Sequence, residues 1–117
     1  MAHVHHRESV PAVDLHDGET IHHVAKRVLV GAEQGAENFV MRQFTLGENG
    51  ATPYHSHPWE HEVFVLNGRG KIVTEEGELP LTPGDAAFVA PDEVHRFMTV
   101  GSEPLEFLCI VPTEGEG

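Results

Sequence analysis

The stretch YHSHPWEHEVFVLNGRG, Tyr54 to Gly70, sets His55, His57 and His61 close together and follows them with an aliphatic run and two glycines. In a strand, residues i and i+2 share a face, so His55 and His57 present two imidazoles to one point. Pro58 has no N–H for a strand ladder and marks the strand's end. His61 opens the next run, and the turn through Pro58-Trp59-Glu60 returns it over the same face. His95 stands much later, in VHRFMTV, just after the turn at Pro91-Asp92. Neutral imidazole is the commonest metal ligand, and first-row metals accept it readily. One histidine at a strand end is ordinary. H-x-H-x3-H before a β-run and a glycine, joined by a fourth histidine on a later strand, is the pattern of a metal site.

The rest of the chain reads as short β-rich runs cut by turn signals. The runs cover roughly 23–30, 38–46, 51–57, 61–67, 70–76, 78–82, 85–90, 94–100 and 103–111. Between them stand Gly47-Glu48-Asn49-Gly50, Asn67-Gly68, Glu76-Gly77, Pro83-Gly84, Pro91-Asp92 and Gly101-Ser102. Many short strands with Gly/Pro turns, and no sustained 3.6-residue apolar period, predict an all-β sandwich or small barrel. Residues 1–20 are polar and unpatterned and read as an N-terminal arm or loosely packed edge. Residues 21–117 form the expected barrel domain.

The length, 117 residues, suits one domain with one core. Seven Lys/Arg against nineteen Asp/Glu give a formal charge of −12, which argues against duplex nucleic acid or an anionic membrane surface as partner. Apolar runs are too short to span a bilayer, and MAHVHHRESVPAVD has no apolar signal core. Cys109 is the only cysteine, which fits a reducing compartment, so a cytoplasmic location is expected. His3, His5, His6, His16, His22 and His23 lie outside the metal pattern, and HVHH at the N-terminus would bind metal only as a tag does.

These motifs resemble the cupin superfamily, whose first motif reads G-x5-H-x-H-x3,4-E-x6-G. His55-Ser56-His57 supplies H-x-H, and the count to Gly68 puts His61 where most cupins carry glutamate. Glu62 fits the longer spacing but leaves one residue too few before Gly68, and Glu60 is one position early. Pro83-Gly84-Asp85 and Pro91-Asp92-Glu93-Val94-His95-Arg96-Phe97 resemble the second motif. There Asp92 and Glu93 stand where glycine is usual, and Thr99 replaces the final asparagine. Gly50 is one residue out of place. The resemblance covers roughly 25–112, and HSHPWEHE is similar to small bacterial single-domain cupins of the cupin 2 conserved-barrel kind. It implies a jelly-roll barrel (a double-stranded β-helix). It also implies a divalent metal held by His55, His57, His61 and His95, manganese ahead of iron, nickel, copper and zinc, and a homodimer.

Replacing a glutamate ligand by histidine removes a negative charge and leaves the metal more electrophilic. Four protein ligands leave two positions of an octahedral ion open. Parity turns Phe97 and Thr99 inward with His95, and Leu105, Phe107 and Cys109 inward together. Phe97 and Phe107 serve as core or as pocket wall, and Cys109 as a buried small side chain. An inward Arg42 would anchor a substrate carboxylate; an outward one would form an ion pair. Glu60 and Glu62 read as solvated or as acceptors for imidazole N–H groups. Phe64, Leu66, Leu108 and Ile110 make the outer faces of their strands apolar too, which expects a second sheet or a partner subunit over them. The leading functional expectation is a metal-dependent oxidoreductase, dioxygenase-like or peroxide-using, acting on a small organic molecule, with its chemistry at the metal and no separate catalytic residue assigned. The alternatives are a non-catalytic metal or small-ligand binding protein, and a sugar isomerase or epimerase, for which Tyr54 is the only tyrosine available as an acid–base group.

Overall fold

Nine strands, β1 Val13–Asp14, β2 His22–Val30, β3 Phe39–Ala51, β4 His61–Asn67, β5 Gly70–Thr74, β6 Gly77–Leu81, β7 Ala86–Val89, β8 His95–Thr99 and β9 Leu105–Pro112, carry residues 1–116 described by this computed structural model. Every pairing among them is antiparallel, and they follow the order β6-β5-β8-β3-β9-β4-β7, with β2 on β3 and β1 on β2. This is the all-β, curled-sheet architecture of a jelly-roll barrel.

Side-chain alternation explains why the sheet curls around one core. Along β9, Leu105, Phe107, Cys109 and Val111 are buried while the residues between them are half-buried. Along β4, His61, Val63 and Val65 are buried while Glu62 and Phe64 are exposed. These inward sets meet Val24, Val40, Leu46, Ile72, Leu81, Val89 and Phe97 in one apolar core. Burial of that apolar surface is the main force holding the sheet closed.

Most of the expected runs meet a strand within two or three residues. The run at 51–57 does not. Ala51 ends β3, and only His55 in the following segment makes a bridge, to His95. Pro53 and Pro58 remove the N–H groups that a ladder would need. Gly47-Glu48-Asn49-Gly50 is also not a turn but the part of β3 where the strand changes partner. Leu46 pairs with Leu105 of β9, and Ala51 pairs with Met98 of β8. Asn49 takes a left-handed φ of 62° between them. These residues bend the strand from one neighbour to the next without reversing it.

Residues 1–20 pack against the barrel edge through β1, whose Val13 and Asp14 pair with Lys26 and Ala25. Asp17 accepts backbone N–H bonds from Glu19, Thr20 and Ile21, which tightens the turn that follows and holds its carboxyl well below the usual carboxylate range. Leu15 and Ile21, on either side of that turn, rest on the core. No helix among the described residues is long and apolar enough to cross a membrane.

Candidate metal centre

The four patterned histidines converge from three parts of the fold. His95 is the first residue of β8 and is buried at 3% exposure, and His61 is the first residue of β4 and is buried at 6%. His55 is tied to His95 by a pair of backbone bonds, His55 N to His95 O at 3.1 Å and His95 N to His55 O at 2.9 Å. The His57 carbonyl accepts from the N–H of Asp92 at 2.6 Å. Asp92 has φ 65°, a left-handed conformation that aspartate tolerates better than most residues. That geometry explains why the related motif favours glycine at this turn.

Ring centroids lie 4.2 Å apart for His55–His57, 5.6 Å for His55–His95 and 5.7 Å for His57–His95. His61 stands 5.1 Å from His57 and 5.2 Å from His95. One ring nitrogen from each of His55, His57 and His95 lies within 4.8 Å of the others. His61 stands beside these three on the β4 side but outside the group of ligand atoms within 4.8 Å of one another.

Hydrogen bonds orient the two buried rings. The Nδ1 of His95 is 2.8 Å from the Glu93 carbonyl, which can only accept, so Nδ1 carries the proton and Nε2 keeps its lone pair. The Nδ1 of His61 is 3.3 Å from Cys109 Sγ, and its Nε2 is buried with no partner. That sulfur already accepts from Arg42 Nη2 at 3.0 Å. With its proton on Nδ1, facing the sulfur, His61 presents a bare lone pair at Nε2, the form a metal ligand requires. A buried, unpartnered lone pair is costly unless something else fills it.

The same surroundings favour the neutral forms of His55, His57 and His61. Burial, reinforced by His95, lowers the value for His55. Burial, then the charges of His55, His95 and Arg42, brings His57 down to about 4. Burial, then His95, Arg42, His57 and His55, brings His61 down to about 3. Neutral, convergent nitrogens with an orphaned lone pair fit a divalent metal ion. Glu60 and Glu62 are both exposed, so they are solvated. The roles of imidazole N–H acceptor expected of them fall to the Glu93 carbonyl and Cys109 Sγ.

The four histidines line a cavity of about 220 Å³ whose walls also include Phe44, Trp59, Phe97 and Phe107. The Phe97 and Phe107 rings stack at 4.7 Å, and Phe44 stacks on Phe107 at 5.6 Å. Trp59 lies nearly parallel to His57, with centroids 4.9 Å apart and planes at 6°. Arg42 points inward at 7% exposure, as the carboxylate-anchor expectation requires. Burial pushes the Cys109 thiol up, against the opposing charge and hydrogen bond of Arg42. Tyr54 is exposed and does not line the cavity.

Sequence reasoning missed Trp59, Lys26, Leu15, Ile21 and Gly115 as lining residues of this cavity. Trp59 has a legible signal, since the only tryptophan of the chain stands between two of the histidines. The others are brought in by β1, β2 and the segment after β9, with no local pattern that marks them.

The chain matches the family model described as Cupin domain over residues 42–111. The polyketide cyclase RemF from Streptomyces resistomycificus superposes with a TM-score of 0.88 at 32% identity, covering 97% of this chain and 80% of that one. A cupin-2 domain protein from Rhodospirillum rubrum gives a TM-score of 0.82 over 96% of this chain and 75% of that one; at 22% identity it speaks for the fold alone. A glucose-6-phosphate isomerase of Pyrococcus abyssi is 34% identical over 111 residues, covering 90% of this chain and 54% of that protein. The chain thus spans about half the length of the curated relatives of this kind that it matches.

Proposed function

We propose that this chain, which belongs to the cupin domain family, is a metal-dependent enzyme acting on a small, planar, largely apolar organic molecule. In this reading His55, His57, His61 and His95 hold one divalent ion. The observation that carries it is that four neighbouring imidazoles line a cavity of about 220 Å³ walled also by Phe44, Trp59, Phe97 and Phe107. That volume lies below the roughly 300 Å³ at which sites for drug-sized ligands begin, so a substrate of one or two rings fits. The rings offer stacking faces and exclude water. When bound, the ion supplies Lewis acidity toward a carbonyl or enol oxygen. Manganese, iron, nickel, copper and zinc all suit this donor set, and supply decides among them.

Likeness to a polyketide cyclase supports ring closure or tautomerisation of an aromatic carbonyl compound over oxidation. The oxidoreductase reading places oxygen or peroxide chemistry beside Cys109 Sγ, 3.3 Å from His61, where the thiol is open to damage. The sugar isomerase reading has support from the glucose-6-phosphate isomerases, but the faces of Phe44, Trp59, Phe97 and Phe107 favour stacking of a flat ring over a hydroxyl-rich one. Metal-loaded protein is expected to convert aromatic 1,3-dicarbonyl compounds in a metal-dependent way without taking up oxygen, followed by absorbance and an oxygen electrode. Oxygen uptake coupled to turnover, or interconversion of glucose 6-phosphate and fructose 6-phosphate with none of the dicarbonyls consumed, would replace this reading.

The outer face of β4, β7 and β9 supports a homodimer. Phe64 and Phe88 are 46% and 58% exposed and lie beside Leu108, Ile110 and Ala86. A contiguous apolar patch of this kind on a highly charged chain fits a second copy. Light scattering is expected to give twice the chain mass, and a Phe64→Glu, Phe88→Glu double variant to give the single mass. A parent protein that runs as a monomer at high concentration would rule the dimer out.

A further inference from the structure

We propose that Lys26 and Arg42 form a carboxylate subsite at the wall of the cavity, which the side chain of Glu116 occupies in the free protein and a substrate carboxylate takes over. The proposal rests on the reading of the cavity as a site for a small aromatic molecule and narrows that molecule to an aromatic acid.

Two cations line the cavity of a chain whose formal charge is −12. Both meet the same carboxylate. Lys26 Nζ lies 2.8 Å from Glu116 Oε2, and Arg42 Nη1 lies 3.5 Å from Glu116 Oε1. The segment bearing Glu116 is laid over the cavity. Gly115 lines it and packs so close to Trp59 that a Cβ there would stand 2.8 Å from the indole nitrogen. A carboxylate is therefore already shown between these two cations, carried by the chain itself.

The guanidinium is poorly satisfied by that arrangement. Its Nη2 donates to the weak acceptor Cys109 Sγ, its contact with Glu116 is at the edge of hydrogen-bonding distance, and its Nε is buried with no partner. Arg42 is more than nine-tenths buried, so water does not make up the difference. Arginine binds carboxylates best through two parallel N–H bonds, and a ligand entering along the aromatic wall can offer that geometry. The wall leads there directly, because the Arg42 guanidinium carbon sits 4.9 Å from the Phe44 ring centroid, on the ring that stacks with Phe107. The Glu116 side chain is 22% exposed and is released toward solvent when displaced.

The test is calorimetric titration of the zinc-loaded full chain with 2-naphthoate, 2-naphthol and 2-naphthyl phosphate. Removing the resident carboxylate by Glu116→Gln is expected to tighten 2-naphthoate about tenfold, the size of one charge-assisted hydrogen bond, and to leave 2-naphthol within about twofold. Adding Lys26→Met to Glu116→Gln is expected to abolish the gain. Equal naphthoate affinity in parent and Glu116→Gln would overturn the proposal, since a carboxylate held by the metal alone behaves that way. An equal gain for 2-naphthol would overturn it too, showing a lid and no anion subsite. A larger gain for the phosphate ester than for naphthoate would overturn the assignment to a carboxylate. Naphthol binding without any carboxylate preference sinks the subsite and spares the aromatic site; no binding of any probe to any variant sinks both.

Discussion

His61→Ala is expected to lower the affinity for divalent metal by at least about a hundredfold and to leave purified protein with substoichiometric metal by elemental analysis. Removing only the outer partner of a metal-bound histidine costs about 10–100-fold, so removing a ligand should cost no less. The other three histidines already group without it, their ligand atoms within 4.8 Å of one another. Unchanged affinity in His61→Ala would therefore mean that three imidazoles and solvent suffice. His61→Glu is the informative partner variant, because it restores the carboxylate usual at this place in the related motif. It should retain metal, now with one charge less at the ion. His3, His5 and His6 are best changed to serine in the background used, which silences the exposed HVHH stretch. Deleting residues 1–20 would also remove Leu15, which packs on the core.

The acid side of the same experiment has a definite sign. His57 and His61 have folded-state values of about 4 and about 3, below the ordinary 6.5. Between 6.5 and those values the unfolded chain binds more protons than the folded one, so metal-free protein loses stability as pH falls through that window. Above it these two groups contribute no pH dependence. Protons compete weakly for the His57 and His61 nitrogens, so these two groups should oppose metal binding only at a lower pH than ordinary imidazoles would.

Gly68→Ala is expected to destabilise the protein by about 3 kcal/mol or more, lowering the melting temperature by upward of about 12 °C. Gly68 has φ 78°, where a Cβ costs roughly 1–2 kcal/mol by itself. The larger part is steric. A Cβ there would run into the carbonyl oxygen of Pro104 and stand 2.9 Å from Leu105 Cα. Both are backbone, and no side-chain rotation relieves them. The displaced chain leads straight into β9, where Leu105 is 0% exposed. Gly101→Ala separates the two effects, since Gly101 has φ 89° with nothing near its missing Cβ. It should cost only the conformational part. Equal melting shifts for the two variants would refute the steric argument.

Strand parity was legible because a side chain's direction alternates whatever its neighbours are. Leu105, Phe107 and Cys109 of β9 face inward as their spacing requires, and His61 faces inward while Glu62 faces solvent. The count from His57 to Gly68 thus picks out the histidine over its flanking carboxylates. Parity gave the wrong reason for His55 and His57. They lie in no regular strand, and a backbone pairing with His95 is what fixes His55 in place.

The chain's own residues thus determined an all-β fold, most of its turns and the inward face of His61 and His95, because these depend on local alternation and turn chemistry. The contacts that tune the site came only with the tertiary structure. Cys109 reaches His61 across 48 residues of sequence, Arg42 reaches Cys109 across 67, and Lys26 reaches Glu116 across 90. Each depends on which segments lie side by side, and none of the three is written in any single segment. The Glu116 carboxylate between Lys26 and Arg42 was likewise placed by tertiary packing, which lays the segment after β9 beside β2 and β3.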